Sequence, residues 1–454
     1  MVRIDRDRLS SLVAEEVALH EQRNPGSKAL YEAGSHLVGQ VPMTWMNQWS
    51  GGFPLYLEAA TGNRITDVDG HEYIDFALGD TAAMAGHSPA PTIEAIVRRA
   101  GELGGITTML PTDDAEWVAA ELSRRFGMDR WSFALSATDA NRWALRLARL
   151  ITGRPKVLVF SYSYHGSVDE TFVVVDPSGS PRSRPGNVAP AVDPTQTTRV
   201  VEFNDAVGLA EALSHGDVAV VLMEPAMTNI GIVLPDAGFL DEVRRLTREA
   251  GTLLMIDETH TLSAGPGGAT KAWGLDPDLV TLGKSVGGGI PCGAYGLSAA
   301  LVPILEAKVA EGADIVDVGG VGGTLAGNAL STAAMRATLA EVLTEEAFDH
   351  MIDLATAYTE GVQGVLDATG VPWSVAQLGA RAEYRFCAPA PRNGGESAAA
   401  HDPELEAYLH LFLSNLGVLI TPFHNMALMC PATTASDVDT HTALFAEAVA
   451  RLLG

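Results

Sequence analysis

Between about residues 100 and 300 the chain alternates short runs of consecutive apolar residues with longer stretches whose apolar positions recur every three or four residues. The runs at 131–135 (WSFAL), 157–160, 218–223, 252–257 and 280–283 are too short for helices and lack polar alternation. That pattern predicts strands buried on both faces. The stretch 138–151 places Trp143, Leu147, Leu150 and Ile151 at helical spacing, and 239–250 is amphipathic and stopped by Gly251. Strands alternating with helices predict an α/β large domain around a mostly parallel sheet. A hairpin is expected at 63–76 (NRITDVDGHEYIDF), turning at Asp69 and Gly70. Further on, helices are expected at 330–343 and 346–369, then strands at 381–387 and 418–421. The resulting division is an N-terminal segment, 1–75, joining a small domain; a large domain, 76–330; and a C-terminal small domain, 331–454. One Pro-, Ser- and Gly-rich stretch, 176–199, interrupts the large domain, and its length suggests a lid or active-site loop.

Charge narrows the function. The 454 residues carry 30 Lys+Arg against 56 Asp+Glu, a formal net charge of −26. That field repels polyanions and anionic membrane surfaces, so neither nucleic acid nor membrane is an expected partner. Cys292, Cys387 and Cys430 form no CxxC pair, which argues against a disulfide framework or a structural metal site and suits a reducing compartment. The first residues are charged and lack the apolar stretch of a signal peptide, and no run of uninterrupted apolar residues is long enough to span a bilayer. A cytoplasmic enzyme is expected.

Candidate chemistry clusters at the ends of the strand-like runs. Lys284 lies in TLGKSVGGGIPCGAYG, just past an apolar run and before three glycines. A phosphate-binding P-loop is excluded because Asp278 stands where that pattern needs Gly. A surface turn would also accommodate the lysine. Chemically, the position suits a Schiff-base lysine whose amine is partly desolvated beside room for a cofactor. Asp257 ends the run TLLMID, where α/β sheets bind ligands, and could either cap the next helix or hold a pyridine nitrogen protonated. Ser136-Ala137-Thr138-Asp139, between a strand and a helix, suits a phosphate on free N–H groups, although a capping box would look the same. Tyr164-His165-Gly166 offers an aromatic face, and Gly323-Thr324-Leu325 with Gly327-Asn328 is a second small-residue loop opening a helix.

The order of these features resembles the fold type I enzymes dependent on pyridoxal 5′-phosphate (PLP). Within them the chain is similar to the class III aminotransferases, and most to the glutamate-1-semialdehyde aminomutase-like branch. The resembling segments are DVDGHEYIDF, SATDANRWALRLAR, YHG, MEP at 223–225, IDETHT, TLGKSVGGGIPCGAYG and GTLAGN, spread over residues 27–345. The resemblance implies a small domain built from both termini and a homodimer with shared active sites. It implies that Lys284 forms the Schiff base and moves a substrate proton, and that Asp257 pairs with the pyridine nitrogen. Tyr164 and His165 would face the ring, Ala137 and Thr138 the phosphate, and Thr324 the phosphate in the neighbouring subunit. Glu224 and Asn229 would line the pocket near the ring oxygen, and 176–199 would gate the site.

Four departures bear on that pattern. Ala137 replaces the usual Gly of the phosphate turn, and Thr259 replaces the Val expected to pack under the ring. His260 stands where Gln or Met is common and could bond the ring oxygen. Aminomutases of this branch carry a carboxylate-binding Arg in the N-terminal Pro-rich segment, yet no Lys or Arg occurs between Lys28 and Arg64. Trp45, Met46 and Trp49 make that segment apolar and aromatic, leaving Arg381 and Arg385 as candidate substitutes or as strand residues paired to the acidic surface. The reading is therefore a ping-pong aminotransferase taking an amine donor and a carbonyl acceptor, and not an enzyme for glutamate-1-semialdehyde. The alternatives are an aminomutase that returns the amine to the same carbon skeleton, or a PLP-binding partner protein without turnover.

Overall fold

The structure, a computed structural model, describes residues 3–454, which form two compact units. One comprises residues 3–89, 349–390 and 400–454, and the other residues 90–348 and 391–399.

The larger unit is organised around a seven-stranded sheet. Its strands are β1 (Arg130–Ala134), β2 (Lys156–Phe160), β3 (Thr198–Val201), β4 (Val218–Met223), β5 (Leu253–Asp257), β6 (Leu279–Leu282) and β7 (Gly293–Leu297). They lie in the order β1-β7-β6-β5-β4-β2-β3. All run parallel except β7, which is antiparallel to both neighbours. Alternate residues of one strand enter two different cores. Val157, Val159, Val220, Leu222 and Met255 pack with Ala140, Ala144 and Leu147 of helix α1 (Ala137–Thr152). Leu158, Phe160, Val221, Met223, Leu254 and Ile256 pack with Phe239, Val243 and Leu246 of helix α2 (Phe239–Ala250). Burial on both faces is why these strands read as unbroken apolar runs.

β7 was not anticipated, because GAYGL has little of a strand's side-chain signal. Its glycines answer to neighbours. A Cβ on Gly293 would sit 2.6 Å from the Ser136 carbonyl oxygen, and one on Gly296 would press on Met128 and Trp131. The stretch 176–199 is also more structured than expected. Pro181–Ser183 pairs with Val173–Val175 as a small hairpin, and Pro194–Gln196 forms a helical turn.

The smaller unit combines both ends of the chain. Leu57–Thr61, Arg64–Asp67 and Glu72–Asp75 form an antiparallel sheet, and Val418–Leu419 joins it in parallel beside the third strand. The Asp69 carboxylate in the hairpin turn accepts from the backbone N–H groups of Gly26 and Ser27 at 2.6 and 2.9 Å. Helix Arg6–Arg23 packs against helix Pro403–Asn415, and a second sheet unites Ser374–Leu378, Arg381–Arg385 and Met426–Leu428. Among the described residues no helix is long and apolar enough to cross a membrane.

Candidate active site

In the larger unit, five parallel strands deliver the segments singled out in the sequence, all past their carboxyl ends. β1 leads to Ser136–Thr138, β2 to Tyr164 and His165, β4 to Glu224, β5 to Asp257 and β6 to Lys284. The topology thus gathers residues separated by more than a hundred positions along one sheet edge, where α/β folds bind ligands.

Asp257 is the best-bound side chain of this edge. Its carboxylate, 3% exposed, accepts from Asn141 Nδ2 at 2.9 Å and from the Thr259 N–H at 3.0 Å, and lies 3.0 Å from His165 Nδ1. Burial alone would raise the carboxyl's pKa. The His165, Thr259 and Asn141 hydrogen bonds outweigh it and hold the group down to about 2. Glu224 is buried nearby, and burial pushes it up to about 7 against weaker compensation from the neighbouring His165 and a 2.6 Å bond from Thr228 Oγ1. Two carboxyls at one site are therefore driven apart, one ionised and one poised near neutrality. Glu258 has a different task. It is fully buried, accepting from Thr261 Oγ1, the Ala269 N–H and the Thr270 N–H, and anchors the chain after β5.

Asn141, which sequence reasoning passed over, links three segments. Besides Asp257 it donates to the His165 carbonyl at 3.1 Å and accepts from Thr281 Oγ1 of β6 at 2.7 Å. The signal was present in SATDAN, since Asn is a poor helix-interior residue unless its amide is used. Asn141→Ala would leave a buried hydroxyl, a carbonyl and the carboxylate short of partners. It is expected to destabilise the protein by roughly 2–4 kcal/mol, seen as a lower thermal midpoint. An unchanged midpoint would contradict this bracing role.

At the turn before α1, Ser136 Oγ accepts from the Asp139 N–H at 3.2 Å, so Ser136 caps the helix and supplies one half of a capping box. It does not compete with a phosphate for the first helical N–H groups, those of Ala137 and Thr138. Gly166 packs so tightly on this turn that a Cβ there would meet Thr138 Oγ1 at 2.1 Å, and its φ of +77° also favours glycine. Gly283 also packs on it, its notional Cβ 2.8 Å from Ala137 Cβ. The residue after Gly283 is Lys284, in the left-handed region at φ +52°, with Nζ 2.7 Å from His260 Nε2. Lys28, Lys156 and Lys308 instead pair with Glu21, Asp217 and Glu311, and Lys271 is exposed.

The other expected residues take these places. Tyr164 is half-buried, edge-on to Phe172, and Asn229 is half-buried in a bridge with Gly231. Thr324 is exposed in a loop ahead of helix Ala329–Ala337, which Asn328 caps. Trp45, in the smaller unit, lies edge-on to Phe423 at 5.7 Å. Arg381 and Arg385 are not surface strand residues. Arg381 is fully buried, donating to Thr81 Oγ1 at 2.7 Å, and Arg385 is 6% exposed, 3.7 Å from Glu383.

Comparison with known proteins gives this arrangement its context. Residues 45–449 match the family model described as aminotransferase class-III. The chain is 32% identical over 415 residues to a glutamate-1-semialdehyde 2,1-aminomutase of Chloroflexus aggregans, covering 88% of this chain and 92% of the relative. A glutamate-1-semialdehyde aminomutase from Pseudomonas aeruginosa PAO1 is 48% identical in structure-based comparison, with a TM-score of 0.96 over 99% of both chains. A lysine-to-alanine variant of that enzyme has been solved in complex with PMP. A β-phenylalanine aminotransferase from Variovorax paradoxus is 27% identical, with a TM-score of 0.85 over 97% of both chains. The chain belongs to the class-III aminotransferase family, PLP-dependent enzymes of fold type I.

Proposed function

We propose that this enzyme is an aminomutase in reaction type: the amino group leaves and returns to one carbon skeleton, with no separate carbonyl acceptor. The observation that carries this reading is the 48% identity to the Pseudomonas aminomutase along 99% of both chains. It supports the aminomutase alternative over the ping-pong reading taken from the sequence, in which the missing Arg between Lys28 and Arg64 argued against glutamate-1-semialdehyde as substrate.

The residues present fit PLP. An ionised carboxylate at a strand end suits the pyridine nitrogen, and the start of a sixteen-residue helix suits the phosphate. His165 Nε2, Thr259 Oγ1 and Ser285 Oγ are buried polar atoms without a hydrogen-bond partner among the described residues, leaving capacity for a bound group. When bound, PLP supplies an electron sink for the carbon bearing the amine. In this reading Ala137 and Thr138 hold the phosphate through N–H groups and a hydroxyl, and Thr324 reaches the phosphate of a second copy in a homodimer. Tyr164 and His165 face the ring, and Glu224 and Asn229 line its oxygen side. Asp257 keeps the ring nitrogen protonated, and Lys284 Nζ carries the proton between carbons.

The test is glutamate-1-semialdehyde supplied alone. Formation of 5-aminolevulinate without any added acceptor is the expected result. Turnover that requires both an amine and a separate carbonyl compound would instead establish the transaminase reading. The absence of any cation between Lys28 and Arg64 is the specific observation favouring that second reading.

A further inference from the structure

Lys284 Nζ and His260 Nε2 lie 2.7 Å apart, the length of one strong hydrogen bond. Only one proton fits between them. Two N–H groups aimed at each other at that distance would collide, and an ammonium facing an imidazolium would be strongly repelled even with the screening typical of a protein surface. The contact therefore joins a charged donor to a neutral acceptor, or a neutral amine to an imidazole N–H.

Both partners sit on rigid supports. β5 and β6 are adjacent, with Asp257 paired to Thr281 and the Glu258 N–H bonded to the Thr281 carbonyl at 2.9 Å. His260 follows at the head of a helical turn, Thr261–Ala264, that the buried Glu258 carboxylate clamps through Thr261, Ala269 and Thr270. Lys284 opens the turn Lys284–Gly287 one residue after β6, its backbone held at a positive φ. Neither side chain is placed by a flexible loop, so their proximity is a property of the sheet edge.

We infer that His260 is a positioning residue that accepts the proton Lys284 must lose to act as a nucleophile or base. In that step the N–H bond on Nζ breaks with its electron pair remaining on Nζ, and an N–H bond forms on Nε2. The positive charge passes from the ammonium to the imidazole ring, leaving a neutral amine. This assigns His260 to the lysine rather than to the ring oxygen, and it rests on the reading of Lys284 as the cofactor lysine.

The experiment reads the lysine itself, in apoenzyme. Reductive methylation at neutral pH, mapped by mass spectrometry, gives the labelling rate of Lys284 with Lys271 and Lys308 as internal references. His260→Gln keeps a hydrogen-bonding group but cannot take up a proton. It is expected to slow Lys284 labelling by roughly tenfold or more while leaving the two references unchanged. His260→Ala should show the same loss and recover when imidazole is added. Lys284 labelling within twofold of the native rate in both variants would overturn the inference. Borohydride trapping of PLP on the native enzyme separates the two levels: label on Lys284 with unaltered rates in the variants refutes only the role of His260, whereas label on another lysine refutes the reading beneath it.

Discussion

Turnover by Lys284→Ala is expected to fall by about 10⁴-fold or more, with the fold retained. The size of the effect follows from the absence of a substitute at this sheet edge. Lys28, Lys156 and Lys308 are committed to carboxylates, and Lys271 is exposed on the short helix Gly268–Ala272. The nearest nitrogen base is His260, which can hold a proton but cannot form the linkage of a primary amine to PLP. Stability should change little, because Lys284 is only half-buried and truncation removes no packed apolar group. A thermal midpoint close to native, together with PLP retained noncovalently, would separate lost chemistry from lost structure. Residual turnover within tenfold of native would show that the proton is moved elsewhere.

Asp257→Asn is expected to slow turnover by roughly 10²–10³-fold. The substitution keeps the shape and an acceptor oxygen but removes the charge that favours a protonated ring nitrogen. It also changes stability with a defined sign. The Asp257 carboxyl is depressed from 3.8 to about 2 in the folded chain. Its stabilising contribution is therefore complete above the unfolded value and is lost as pH falls from about 4 through 2. Asp257→Asn should flatten the fall of the thermal midpoint in that window. Glu224 works the other way. Burial raises it from 4.5 to about 7, so the stability it contributes is present at low pH and is lost as pH rises through that interval. Glu224→Gln should remove that slope, and thermal scans at closely spaced pH values would distinguish the two groups.

Much of this edge was legible in the sequence because most participants end or follow buried strands, which announce themselves as unbroken apolar runs. Helix α2 was read to the residue because its stripe and its terminal glycine agree. The failures have equally local causes. β7 is held by backbone pairing and by glycines that admit close neighbours, features that leave almost no side-chain pattern. In RAEYR the alternation of charged and apolar residues reads as a strand with one wet face, yet all five residues are buried. On the polar face Arg381 finds a partner distant in sequence, Thr81. The contact between His260 and Lys284 was invisible for a third reason. It depends on the turns after two adjacent strands, and no spacing rule fixes where such turns end.

In the proposed reading the chemistry of this enzyme is carried by Lys284, one residue past β6. The most direct measurement is borohydride reduction of the native enzyme loaded with PLP, followed by peptide mapping. A single pyridoxyl modification on the peptide containing Lys284, absent in Lys284→Ala, is the predicted result. Modification of Lys28, Lys156, Lys271 or Lys308 in the native enzyme, with Lys284 unlabelled, would contradict it.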